Sequence, residues 1–210
     1  MRRIDISMPL FPGMPSFPGD PSFDVVQLCS ITRGDPYNLS GLSFGSHAGT
    51  HVDPFGHFVP GGATADHLDL DVLNGPCWVV DVDARAAHVG ADDVARIPTG
   101  TTRVLFRTAN STRWARSLTF FPDYVGLTTA AADALVERKV RLVGIDALSV
   151  ENDPSGSFPV HHSLLARGTL ILEGLLLAAA PAAEYRLDCL PLSLRDGDGA
   201  PARATLVTPP

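Results

Sequence analysis

The chain has 210 residues, 45% hydrophobic and 19% charged, with a formal net charge of −7. That length gives one domain ample core, and the acidic balance, with its sixteen scattered Lys and Arg residues, argues against nucleic acid or an anionic membrane as partner. Cys29, Cys77 and Cys189 are odd in number and widely spaced, with no CxxC pair, which predicts reduced thiols in a cytoplasmic protein.

In chain order, the start MRRIDISMPL carries two arginines but no apolar stretch behind them, so no secretory signal is expected. Residues 1–23 are rich in proline (MPLFPGMPSFPGDPSF) and read as an extended, turning arm. It is either a flexible arm or, as Phe11, Phe17 and Phe23 favour, a segment lying against a neighbouring subunit or the functional site. Strand-like runs follow at FDVVQLCSI, CWVVDVDA, TRVLFRT, RLVGIDAL and TLILEGL. Between them GADDVARI and TTAAADALVERK read as helices, the second capped by Thr128 or Thr129. Strands interleaved with short helices predict one α/β domain over 1–210 with a mixed sheet. The most apolar tract, GTLILEGLLLAAAPAA, is broken by Glu173 and Pro181 and is too short to span a bilayer. After residue 195 a turn and a short strand are expected.

The densest chemistry lies in HAGTHVDPFGHF, residues 47–58, which holds three of the seven histidines and one aspartate. Imidazole and carboxylate are the ligands that borderline divalent metals prefer. A straight strand over 47–53 would put its outer donors roughly 20 Å apart, far beyond the ~2 Å metal–ligand bonds one ion requires. Gly49 and Pro54 make a poor helix interior. A curled loop after a short strand is therefore expected, with Gly49 allowing the tight backbone and Pro54 stiffening the exit. His57, four residues past Asp53, can face the same cavity. Further donors are sought in VHHSLLARGTLILEG, where Glu173 is the only charge in an apolar run. A buried carboxylate is costly unless paired or bound to metal. Of the adjacent His161 and His162, one is expected inward and one outward.

These residues resemble the metal-dependent cyclase family, which includes bacterial kynurenine formamidase and isatin hydrolase. The chain matches its pattern HxGTHxDxxxHF throughout, and the likeness extends over PSFPGD, VGIDALSVE and HHSLLARGTLILEGL. The resemblance implies a swivelling β/β/α fold in homodimers or homotetramers. It implies two metal ions, zinc or alternatively manganese: His47, His51 and Asp53 on the first, and Asp53 bridging to a second held by His161, which stands twelve residues before Glu173 as in the formamidase pattern. Glu173 would touch one or both ions, His57 would be the general acid/base, and Phe17 would contact substrate. The implied reaction is hydrolysis of an amide, N-formylkynurenine foremost, with another cyclic amide or a lactone as alternative. Two departures stand out: Pro54 follows Asp53 directly, and Phe17 replaces the tryptophan that formamidases carry before PGD.

Other signals are weaker. GLSFG around Ser43 matches a nucleophile elbow, but no helix signal follows it. Phe17, Phe44 and Phe58 are candidates for an apolar wall, with core packing the expected role of at least one, and Trp114 with Phe120 and Phe121 are either core or part of a loop beside the site. His67, His88 and the DGDG turn at residues 196–199 are read as surface features.

Overall fold

The computed structural model describes residues 1–209. Its strands are β1 (Arg3–Asp5), β2 (Asp24–Cys29), β3 (Leu39–Ser43), β4 (His51–Asp53), β5 (Gly75–Asp81), β6 (His88–Val89), β7 (Arg103–Arg107), β8 (Gly126–Leu127), β9 (Leu142–Ile145), β10 (Leu170–Glu173), β11 (Ala183–Pro191) and β12 (Ala200–Val207). The helices are α1 (Leu70–Leu73), α2 (Ala91–Ala95), α3 (Ala109–Trp114), α4 (Thr129–Glu137) and α5 (Pro159–Ala166).

The main sheet runs β12-β11-β5-β7-β9-β10-β4 and closes into a ring because β4 also pairs with β12, while β1 adds along the edge of β12. β5, β7, β9 and β10 are mutually parallel and the remaining pairs antiparallel, so the mixed sheet expected from sequence is present. The parallel strands are covered on both faces, which is why they read as continuous apolar runs.

Period-2 alternation sorts their side chains into two cores. Val79, Leu105, Leu142, Leu170 and Leu172 fill the interior of the ring. Val80, Val104, Phe106, Val143, Ile145 and Ile171 face outward against α4 and α5. The α4 cap is Thr128, whose hydroxyl accepts from the Ala131 amide.

The N-terminal segment is a packed arm. β1 is annealed to β12, and Ile4, Ile6, Met8, Met14 and Phe23 are buried. α5 is not among the helices expected from sequence; it starts with Pro159 in its first turn and ends before Gly168 at φ +87°, a pairing that marks helix boundaries. β11 is likewise not among the expected strands, though its buried and less buried positions alternate along EYRLDC.

Candidate metal centre

β4 carries the heart of the site. Val52 points into the ring interior, so its neighbours His51 and Asp53 must share the opposite face. That face is also where β10 places Glu173, because the antiparallel register sets Glu173 against His51 and Ile171 against Asp53. The motif is therefore part strand and part curl. Residues 51–53 are strand, whereas His47 sits in the preceding turn, brought back over the strand by Gly49 at φ +64°. The expected curl follows β3 but ends in β4 rather than extending through Asp53. Pro54 then ends the strand and leads into a 3₁₀ turn, Phe55–His57, that presents His57. His161 reaches the same place from the first turn of α5, while its neighbour His162 is exposed.

His47, His51 and His161 each hold Nδ1 against an oxygen and leave Nε2 for the cavity side. His47 Nδ1 donates to Asp53 Oδ1 at 2.9 Å, His51 Nδ1 to the Gly49 carbonyl at 2.9 Å, and His161 Nδ1 to Glu151 Oε1 at 2.6 Å. Such outer bonds fix the tautomer in which Nε2 is free to ligate. Asp53 and Glu173 each stand between two histidines. Asp53 Oδ1 is 3.4 Å from His51 Nε2, and its Oδ2 is 3.8 Å from His161 Nε2. Glu173 Oε2 is 3.2 Å from His51 Nε2, and its Oε1 is 3.3 Å from His161 Nε2. Among the described residues, His47 Nε2, His51 Nε2 and Asp53 Oδ2 are buried polar atoms with no hydrogen-bond partner. Native proteins rarely leave such atoms orphaned, and here three converge. His47, Asp53 and His57 form one donor cluster that can hold a cation, and His51, Asp53 and Glu173 form another.

The electrostatics agree. Burial alone would lower the pKa of His51, but Glu173 and Asp53 hold it up at about 9. Burial likewise opposes a raised pKa at His161, yet Glu151 and Glu173 bring it to about 10. Burial would raise the Glu173 carboxyl, but the two imidazoles keep it well below the ordinary carboxylate range. In the absence of an ion, protons on the histidines thus do the work of cations. Since both histidine pKa values lie above the unfolded value of about 6.5, their stabilisation is complete below that pH and is lost as pH climbs through about 9 and 10. Glu173 acts in the opposite sense, its share being lost on strong acidification. Metal-free protein is therefore expected to lose melting temperature steadily between about pH 6.5 and 10. Metal-loaded protein should not, because the ion replaces the protons; thermal melts across that range with and without chelator check this.

Three contributors were not assigned from sequence. Glu151 is buried and accepts from the amides of Val160 and His161 as well as from the His161 ring. It ends the stretch VGIDALSVE, so its position was visible although its partner, ten residues on, was not. Asp198, within the DGDG turn, accepts from Ser46 Oγ at 2.8 Å and has Oδ2 3.7 Å from His47 Nε2. The third is Gly174, at φ +67°, where any Cβ would run into the Gly49 carbonyl. Gly174→Ala is expected to destabilise the fold by on the order of 3 kcal/mol and to displace Glu173; urea unfolding and metal content measure the two effects.

A cavity of about 410 Å³ opens over the cluster, walled by Phe17, Phe58, Phe158 and Leu148, with Asp20 and Ser149 among its polar groups. Phe58 stacks on His161 with centroids 4.7 Å apart. Phe44, the third candidate for this wall, stacks on Phe23 at 5.6 Å and does not line the cavity. Trp114 is buried, its indole N–H donating to the Asp146 carbonyl, and only Phe120 of that group reaches Phe17, at 6.4 Å. Ser43 lies exposed on β3 with a turn behind it, so no nucleophile elbow forms there. His67 and His88 are at the surface.

A family profile described as putative cyclase matches residues 4–152. A kynurenine formamidase of Salinibacter ruber is 39% identical over 80% of this chain and 79% of its own. One from Paracidovorax citrulli is 36% identical over 98% and 94%. Among solved structures, a potential metal-dependent hydrolase with cyclase activity superposes with a TM-score of 0.84 at 33% identity, covering 100% of this chain and 99% of its own. Isatin hydrolase A from Labrenzia aggregata, bound to benzyl benzoate, superposes with a TM-score of 0.83 at 25% identity, covering 99% and 94%. With two thirds of the chain inside the family profile and relatives alike over nearly its full length, this chain belongs to the cyclase family.

Proposed function

We propose that the protein is a metal-dependent amide hydrolase that converts N-formyl-L-kynurenine and water to L-kynurenine and formate, a step of tryptophan degradation. The observation that carries this reading is the pair of carboxylates, Asp53 and Glu173, each spanning His51 and His161 beside orphaned imidazole and carboxylate atoms. That donor set suits two zinc ions, with manganese as the alternative. His47, His51 and Asp53 would hold the first, His161 the second, and Asp53 and Glu173 would be shared. Such an ion supplies Lewis acidity and brings bound water from a pKa of 15.7 towards about 7.

The chain's own groups do the rest. His57 lies with its ring centroid 4.1 Å from that of His47 and 6.3 Å from that of His161, at the cavity edge of the cluster. Burial lowers its pKa, only partly offset by the Asp53 and Glu173 charges, so it is neutral at pH 7. It takes the proton of the attacking water and returns it to the departing arylamine nitrogen. Phe17, Phe58 and Phe158 seat the aryl ring and exclude water around it.

A second reading, opening of the cyclic amide isatin, is favoured by the likeness to isatin hydrolase. Absorbance assays of metal-loaded protein with N-formyl-L-kynurenine and with isatin separate the two. Turnover of the formamide supports the first reading, turnover of isatin alone the second, and turnover of neither contradicts both.

The working unit is proposed to be a cytoplasmic homodimer or homotetramer of one-domain subunits, with no nucleic-acid or membrane partner. Cys29, Cys77 and Cys189 are free thiols, and among the described residues no helix is long and apolar enough to cross a membrane. The β2–β3 hairpin supports self-association: among the described residues it pairs with no other sheet, yet it exposes Val25, Val26, Leu28, Leu39 and Leu42. An isolated hairpin is marginal in water, and subunit burial would cover these side chains. Val26→Asp combined with Leu28→Asp is expected to convert the oligomer to monomer, read by analytical ultracentrifugation.

A further inference from the structure

Part of the cavity wall is built by one tight turn. Phe17, Pro18, Gly19 and Asp20 form a reverse turn closed by the Asp20 amide donating to the Phe17 carbonyl at 3.0 Å. Gly19 takes φ +102°, which a residue with a side chain rarely adopts, and proline precedes it as in type II turns. The turn therefore holds an aromatic ring and a carboxylate in a fixed relation, and both line the cavity. Phe17 is braced from behind by Phe120.

Asp20 faces the same cavity as the ligand cluster, within electrostatic reach of His47, His51 and His57. Burial raises its carboxyl pKa, against the lowering pull of the nearby histidines; its side chain has no hydrogen-bond partner, and no Lys or Arg lines the cavity, among the described residues. A ring stacked on Phe17 would carry its side-chain substituent past an unpaired carboxylate. That arrangement attracts a cation and offers nothing to an anion.

We infer that Asp20 is a specificity-determining residue that reads an aliphatic ammonium on the side chain of an aryl amide, and that an α-carboxylate on the same side chain is left in water. The inference rests on the reading of the site as an aryl-formamide hydrolase. It names the substrate class more narrowly: formylated arylamines bearing a side-chain amine, with or without a carboxylate.

The test is calorimetric titration of zinc-loaded protein with three probes that share one aryl ketone: L-kynurenine, kynuramine, which lacks the carboxylate, and 2-aminoacetophenone, which lacks the amine as well. Wild type should bind both amines about tenfold more tightly than 2-aminoacetophenone, the low end for a hydrogen bond to a charged group at an exposed position. Kynuramine should bind at least as tightly as L-kynurenine. In Asp20→Asn the preference for the amines should fall to about unity, and Asp20→Glu should retain part of it. A preference that survives in Asp20→Asn overturns the inference, as does L-kynurenine binding far better than kynuramine. Equal weakening of all three probes also overturns it, because Asp20 would then serve the fold or the metal. Hydrolysis of N-(2-acetylphenyl)formamide by wild type is scored separately. The proposed reaction can therefore fail while the Asp20-dependent preference stands, and the preference can fail while the reaction stands.

Discussion

Glu173→Gln is expected to strip the protein of most of its metal and to lower kcat/KM on the order of 10³-fold or more, since a catalytic ion supplies several kcal/mol of transition-state stabilisation and each 1.36 kcal/mol is tenfold. The substitution keeps the size and the acceptor for the Val150 amide, which donates to Glu173 Oε1 at 2.5 Å, but it removes the negative charge lying between His51 and His161. Those imidazoles then lose one of the groups that raise their pKa values, Asp53 and Glu151 remaining. The two arms of the effect are separable, metal content by elemental analysis and rate by absorbance. Full metal occupancy with a normal rate would show that Glu173 is a packing residue.

His57→Ala should do the reverse, leaving metal content near wild type and lowering kcat by about 10² to 10⁴, the range for a positioned general acid/base. The pH profile gives an independent check. Because burial lowers the pKa of His57, wild-type activity should hold through neutral pH and fall on the acid side below about 6.5, where the ring protonates and can no longer accept a proton. That acid limb should vanish from the residual activity of His57→Ala. Loss of metal in this variant would instead make His57 a ligand, a role its place in a cluster with His47 and Asp53 keeps chemically open.

Most of the donor set was legible because it is dense and local. His47, His51, Asp53 and His57 fall within eleven residues, and Glu173 stood out as a lone charge in an apolar run. Geometry alone explains what stayed hidden. Glu151 meets His161 only because the chain turns back into α5 between them. Asp198 meets His47 only because β12 closes the ring onto β4. Both contacts are tertiary, and no local spacing announces them.

The fold followed the same division. The parallel strands β5, β7, β9 and β10 were readable as apolar runs. β4 is three residues long and contains two donors, so neither propensity nor period marks it as a strand; pairing with β10 and β12 makes it one. Phe44 is the one of the three candidate wall aromatics that packs away from the cavity, because an aromatic beside a motif can turn to either face and Phe23 is available to stack on it.

The most direct test of the binuclear account is a titration of metal-free protein with Zn²⁺, following hydrolysis of N-formyl-L-kynurenine and bound metal on the same samples. The account predicts no turnover without metal, and a rate that rises with bound zinc and levels off at about two ions per chain, as two-metal hydrolase sites require. Turnover that persists in exhaustively chelated protein, or zinc that binds stoichiometrically without conferring any hydrolysis, would contradict it.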